Sequence, residues 1–68
     1  IARNYFTLAC NYGSGIACSN LGVMYANGQT VEQNDRKALA LYKKSCDIGS
    51  EEGCRNYKLL KRYTLITK

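Results

Sequence analysis

The reactive side chains of this 68-residue chain are four cysteines in two pairs of equal spacing, Cys10 with Cys18 and Cys46 with Cys54, each reading Cys-x7-Cys. Thiols so placed can oxidise to disulfides, remain as free core thiols, or ligate a metal. Thiolate zinc sites favour Cys-x2-Cys to Cys-x4-Cys spacing and often recruit histidine, whereas this chain has no histidine. Structural disulfides are therefore the expected state, and no metal site is expected. Such bonds persist in oxidising compartments, which points to a secreted or periplasmic protein.

Other chemistries find less support. A serine nucleophile activated by a lysine one helical turn away reads Ser-x-x-Lys. Here Ser14, Ser19, Ser45 and Ser50 are followed three residues later by Ala17, Gly22, Ile48 and Gly53, and Lys-Thr-Gly is absent. Tyr25-Ala-Asn27 imitates the Tyr-x-Asn of some serine β-lactamases, but a core tyrosine and a helix-ending asparagine are the better explanation. Gly13-Ser-Gly15 is too short for a phosphate loop and lacks the lysine that would follow. No catalytic residue is assigned and no cofactor is expected. Of the six tyrosines, Tyr5, Tyr25, Tyr42 and Tyr57 fall in core phase, which leaves Tyr12 and Tyr63 for any stacking surface.

The elements that carry these residues repeat. Both cysteines of the first pair recur 36 residues on, as do Gly13 (Gly49), Ser14 (Ser50) and Asn20 (Asn56). Gly13 and Gly49 suit the left-handed residue that ends a helix, and Ser14 and Ser50 suit the N-cap of the next. One cysteine of each pair then lies in the last turn before the stop and the other just after it, so the two can meet across a hairpin. In the first helix, over residues 1–12, Ala2, Tyr5, Phe6, Ala9 and Cys10 form an apolar stripe. The third helix, over 35–48 behind the N-cap Asn34, repeats that stripe as Ala38, Leu41, Tyr42, Ser45 and Cys46. Between them a second helix begins at Ser14 and ends at Asn27-Gly28, with Ala17, Cys18, Leu21, Met24 and Tyr25 on one face and Gly22 allowing close approach. Val31 anchors an otherwise polar connection.

The repeat decays in the fourth helix. Gly22, Tyr25 and Gly28 become Lys58, Lys61 and Thr64, and the chain runs past the expected stop. Leu59, Leu60, Tyr63 and Ile66 keep an apolar stripe, while Arg55, Lys58, Arg62 and Lys68 meet no acid after Glu52. This reads as an atypical terminal unit. The expected organisation is a first helix pair over 1–28, a connection over 29–34, and a second pair over 35–68 ending in a capping helix. Ile1 in place of methionine suggests a piece of a longer protein with any signal peptide upstream.

Ten Lys and Arg against five Asp and Glu give a net charge of +5, spread over several helices as solvated faces rather than as a nucleic-acid stripe. No apolar run reaches the roughly 18 residues of a membrane span.

Cys18-Ser-Asn-Leu-Gly-Val-Met-Tyr25, Gly28, Val31, Gln33, Lys37-Ala38, Tyr42-Lys-Lys-Ser-Cys46 and Gly53-Cys54 together resemble the Sel1-like repeat, a relative of the tetratricopeptide repeat. The paired cysteines resemble its disulfide-bearing branch, the Helicobacter cysteine-rich proteins. The resemblance covers residues 1–57 well and 58–68 poorly. It implies an all-α fold of αα-hairpin repeats in a right-handed solenoid, each hairpin closed by a disulfide. It also implies a module for protein or peptide interaction, with penicillin binding or weak β-lactamase activity, and hence a β-lactam or cell-wall-related ligand, as the alternative. In related repeats the first helix of each pair lines the concave surface, which here means Asn4, Thr7, Leu8 and Asn11. Their equivalents in the second pair are Ala40, Lys43, Lys44 and Asp47.

Non-reducing peptide mapping should recover Cys10 linked to Cys18 and Cys46 linked to Cys54; a Cys10 to Cys46 or Cys18 to Cys54 linkage would defeat the hairpin reading. Each closure of so short a loop adds about 2–3 kcal/mol in the chain-entropy model, against a total of about 5 kcal/mol for a small domain. Thermal melts with and without reductant should therefore separate clearly.

Overall fold

Two six-residue stretches, Ala9 to Ser14 and Ser45 to Ser50, reverse the chain in the same way. In the computed structural model, which describes residues 2–28 and 31–67 and the side chains of 4–28 and 31–65, four helices are present: α1 (Ala2–Asn11), α2 (Gly15–Asn27), α3 (Asp35–Ile48) and α4 (Glu51–Thr67). No strand occurs among the described residues. At the end of α1 the Gly13 amide donates to the Cys10 carbonyl and the Ser14 amide to the Ala9 carbonyl; at the end of α3, Gly49 and Ser50 donate to Cys46 and Ser45. This double closure is the Schellman motif, and it requires the left-handed backbone that Gly13 (φ 97°) and Gly49 (φ 117°) adopt. The serine that completes each motif is also the N-cap of the next helix. Ser14 Oγ accepts from the Ala17 amide and Ser50 Oγ from the Gly53 amide.

Because one residue both closes the first helix and opens the second, each hairpin has almost no linker. The cysteine in the last turn of the first helix is carried to within 4.6 Å (Cys10–Cys18) or 4.4 Å (Cys46–Cys54) of its partner, Cα to Cα, and both pairs are disulfide-bonded. The connection between hairpins is held differently. Gly28 caps α2, the Gln33 side chain donates to the Ala26 carbonyl at 2.9 Å, and the Asn34 amide donates to the Tyr25 carbonyl at 2.9 Å. Asn34 then caps α3 through the Lys37 amide.

The most extensive packing is of α2 on α3, followed by α3 on α4 and α1 on α2, with α2 also touching α4. The buried apolar side chains are Cys10, Ala17, Cys18, Leu21, Met24, Ala38 and Tyr42, with Phe6, Ala9 and Leu41 packed against the Cys10–Ala17–Cys18 cluster. Two serines share this interior. Ser45 Oγ donates to the Gly15 carbonyl at 2.6 Å, and Ser19 Oγ accepts from the Asn56 amide at 3.2 Å. Small residues let the backbones meet. A Cβ on Gly22 would lie 2.5 Å from the Tyr42 ring, and one on Gly53 would collide with the Ser45 side chain and come within 2.9 Å of the Cys46 amide nitrogen.

The core departs from the sequence expectation at its two flanks. Tyr42 is buried, and Tyr25 and Tyr57 are half-buried with the ammonium groups of Lys37 and Lys61 over their rings at 4.9 and 5.5 Å. Tyr5, expected in the core, is 67% exposed, because no described helix lies on the outer side of α1. Its repeat equivalent Leu41 does have α1 and α2 to pack against. On α4, Leu60 is half-buried but Leu59 and Tyr63 are each 59% exposed, so that stripe is split between core and solvent. The expected places of the Ala2 and Ile66 side chains, of Lys68, and of Gln29 and Thr30 in the connection lie outside the described residues.

Alanine in an open helix position is worth about 1 kcal/mol over glycine. Gly53→Ala should show the opposite sign, losing about 1–2 kcal/mol in denaturant titration through overpacking. The first hairpin accommodates Ala9 and Ala17 where the second has Ser45 and Gly53, so Ser45→Ala combined with Gly53→Ala should cost less than the two single losses summed. Burial, aided by the Glu52 carboxylate, pushes the Tyr42 phenol above its ordinary value. A phenol that ionises more readily unfolded than folded leaves stability intact below about pH 10, and stability then falls as pH climbs through the raised folded value. Tyr42→Phe should flatten that alkaline decline in pH-dependent melts.

Candidate interaction surface

The first helix of each pair buries one stripe and turns the other outward, so the geometry of the outward side follows from the helical phase of Cys10 and Cys46. On α1, Asn4, Leu8 and Asn11 are exposed and Thr7 is half-buried; on α3, Ala40, Lys43, Lys44 and Asp47 are exposed. Lys44 Nζ donates to Asn11 Oδ1 at 3.4 Å, which ties the two outward sides together across 33 residues of sequence. Lys43 pairs with Asp47 at 3.5 Å within α3, where both side chains are largely solvated, so this i, i+4 pair contributes little.

Chemically the strip offers amide donors and acceptors at Asn4 and Asn11, one apolar spot at Leu8 (58% exposed), and two ammonium groups. That set can hydrogen-bond the main chain of an extended peptide and attract carboxylates. It contains no nucleophile beside a general base. The four serines are committed elsewhere: Ser14 and Ser50 cap helices, Ser45 holds the Gly15 carbonyl, and Ser19 receives Asn56. The four cysteines sit at the hairpin ends, paired as described, away from the middle of the strip. Among the described residues no cluster of His, Cys, Asp or Glu is arranged to hold a metal ion, and no helix is long and apolar enough to cross a membrane.

Phase alone placed these residues on one side of their helices, but three contacts were invisible to it. The Lys44–Asn11 bond, the Ser45–Gly15 bond and the Asn56–Ser19 bond all join different helix pairs. The recurrence of Asn20 as Asn56 was a trace of the last, without naming its partner.

The Sel1 repeat family model matches residues 15–50, which is α2, the connection, α3 and the second Gly-Ser junction. Cytochrome c oxidase assembly factor 7A of Xenopus laevis is 35% identical over 63 residues, covering 85% of this chain and 27% of that protein. The chain thus spans about a quarter of the length of the curated relative it matches. No solved structure gives a significant match. The family match takes in more than half of the residues, from the start of α2 to the second Gly-Ser junction, and the chain belongs to the Sel1 repeat family.

Proposed function

We propose that this chain is a protein- or peptide-binding segment of a right-handed solenoid of disulfide-closed αα-hairpins, working in an oxidising compartment as a secreted or periplasmic protein. Sel1 repeats generally mediate protein–protein interaction. The observation that carries the reading here is the joined outward strip of α1 and α3, with Asn4, Thr7, Leu8 and Asn11 continued by Lys43, Lys44 and Asp47 through the Lys44–Asn11 bond. The compartment is argued from the two disulfides, which a reducing cytosol would not maintain. The paired cysteines also favour placing the chain in the Helicobacter cysteine-rich branch of the family. The relative named as an assembly factor is consistent with a role in holding other proteins.

The partner this strip fits is an extended segment with at least one carboxylate for the lysines and an apolar side chain for Leu8. Charge reversal at Lys43→Glu and Lys44→Glu should weaken the complex with a co-purified partner by about tenfold in a calorimetric titration, since each reversal replaces attraction by repulsion. Unchanged affinity would remove this face from consideration.

A further inference from the structure

The side of α2 on which the second hairpin seats is lined by small residues. Gly15 lies beside Ser50 and the Ser45 carbonyl, Ser19 receives Asn56, and Gly22 lies under the Tyr42 ring. Thirty-six residues on, the same positions of α4 are Glu51, Arg55 and Lys58, with Arg62 at the place of Ala26. All four are exposed. Arg55, Lys58 and Arg62 stand at i, i+3 and i+7, a stripe about 10 Å long at 1.5 Å per residue. It runs down the side of α4 opposite the half-buried Tyr57, Leu60 and Thr64. Leu59 and Leu65, both exposed, flank it.

A merely solvated helix face is served by interspersed charges of both signs. This stripe has one sign, and its i, i+3 and i, i+4 like-charge neighbours cost the helix a few tenths of a kcal/mol each. Glu51, one turn before Arg55, is the single acid on that side. Among the described residues none of these three cations is in an ion pair, whereas Lys43 on α3 is.

We infer that this face of α4 docks an acidic α-helix of a separate protein, lying along α4 on the side where α3 lies along α2, but stood off by the longer side chains and held by carboxylates against Arg55, Lys58 and Arg62. The place follows from the repeat: the equivalent face of α2 already receives a helix. The charge follows from the stripe. A second copy of this chain, at net charge +5, is the wrong sign. Thr64 stands where Gly28 turns α2 into the short connection that delivers α3, and α4 instead continues through Thr67, so that short delivery is not repeated at this position. A bilayer surface fits less well, since the cations hold the centre of the outward side and the apolar residues only its edges. This surface is distinct from the α1–α3 strip.

The probe is a fluorescein-labelled, end-capped helical peptide with Glu at i, i+3 and i+7 flanked by Leu, titrated by anisotropy against the disulfide-intact chain. Saturable binding should weaken at least about tenfold in Arg55→Glu/Lys58→Glu/Arg62→Glu, and less than about threefold in the charge-matched Arg3→Glu/Arg36→Glu/Lys37→Glu, which changes no residue of the α4 stripe or of the α1–α3 strip. Should the first variant fail a circular-dichroism check, Arg55→Gln/Lys58→Gln/Arg62→Gln replaces it with the same expected direction. Equal weakening in both variants would reduce the effect to net charge and overturn the proposal. So would the absence of saturable binding, or binding to phosphatidylserine-containing vesicles without binding to the peptide. None of these outcomes bears on the α1–α3 strip, whose own titration uses a different partner and different residues.

Discussion

The helices of this protein stay together because their backbones come close enough to touch, with very little side chain between them. A chain of this length cannot enclose a large apolar interior. What replaces it is a set of contacts that only small residues permit: Gly22 against the face of Tyr42, Gly53 against Ser45, and Ala17 among the first pair of cysteines. Dispersion attraction falls off quickly with separation, so short distances compensate for few atoms. The disulfides act in the same place. Each ties the last turn of one helix to the first turns of the next, so that the close approach survives thermal fluctuation.

This dependence on close approach explains what was legible in the sequence and what was not. The hairpin junctions were legible because Gly13, Ser14, Gly49 and Ser50 act locally, through backbone conformation and capping, and local rules need no knowledge of the rest of the fold. The helical phase of the outward strip was legible for the same reason. Tyr5 was misplaced because periodicity says which face of a helix is apolar, not how many neighbours come to cover it. Leu59 and Tyr63 repeat the point on α4. The polar cross-links were illegible because Ser45 with Gly15, Asn56 with Ser19 and Lys44 with Asn11 are about one full repeat apart.

The two hairpins share a plan without being interchangeable. Cys10 and Cys18 are sealed inside the core, while Cys46 and Cys54 are half-buried, so the second bond is the more open to an attacking thiolate. The tight spot beside the cysteines is filled by two alanines in the first hairpin and by a serine and a glycine in the second, a near-exchange of volume that also frees a hydroxyl to reach the first hairpin at Gly15. The second unit is thus fastened to the first by its polar atom, where the first relies on its own cysteine cluster.

Each staple spans a sequence separation of only eight residues. Loops of that size close on a timescale of about 10–100 ns, far ahead of any search for distant contacts. Loop-closure entropy likewise favours a partner eight positions away over one 36 positions away, so Cys10 meets Cys18 more often than Cys46, and Cys54 meets Cys46 more often than Cys18. Correct thiol pairing is therefore favoured by proximity along the chain. Lengthening the array by further units of this kind would leave each cysteine's nearest partner along the chain the correct one.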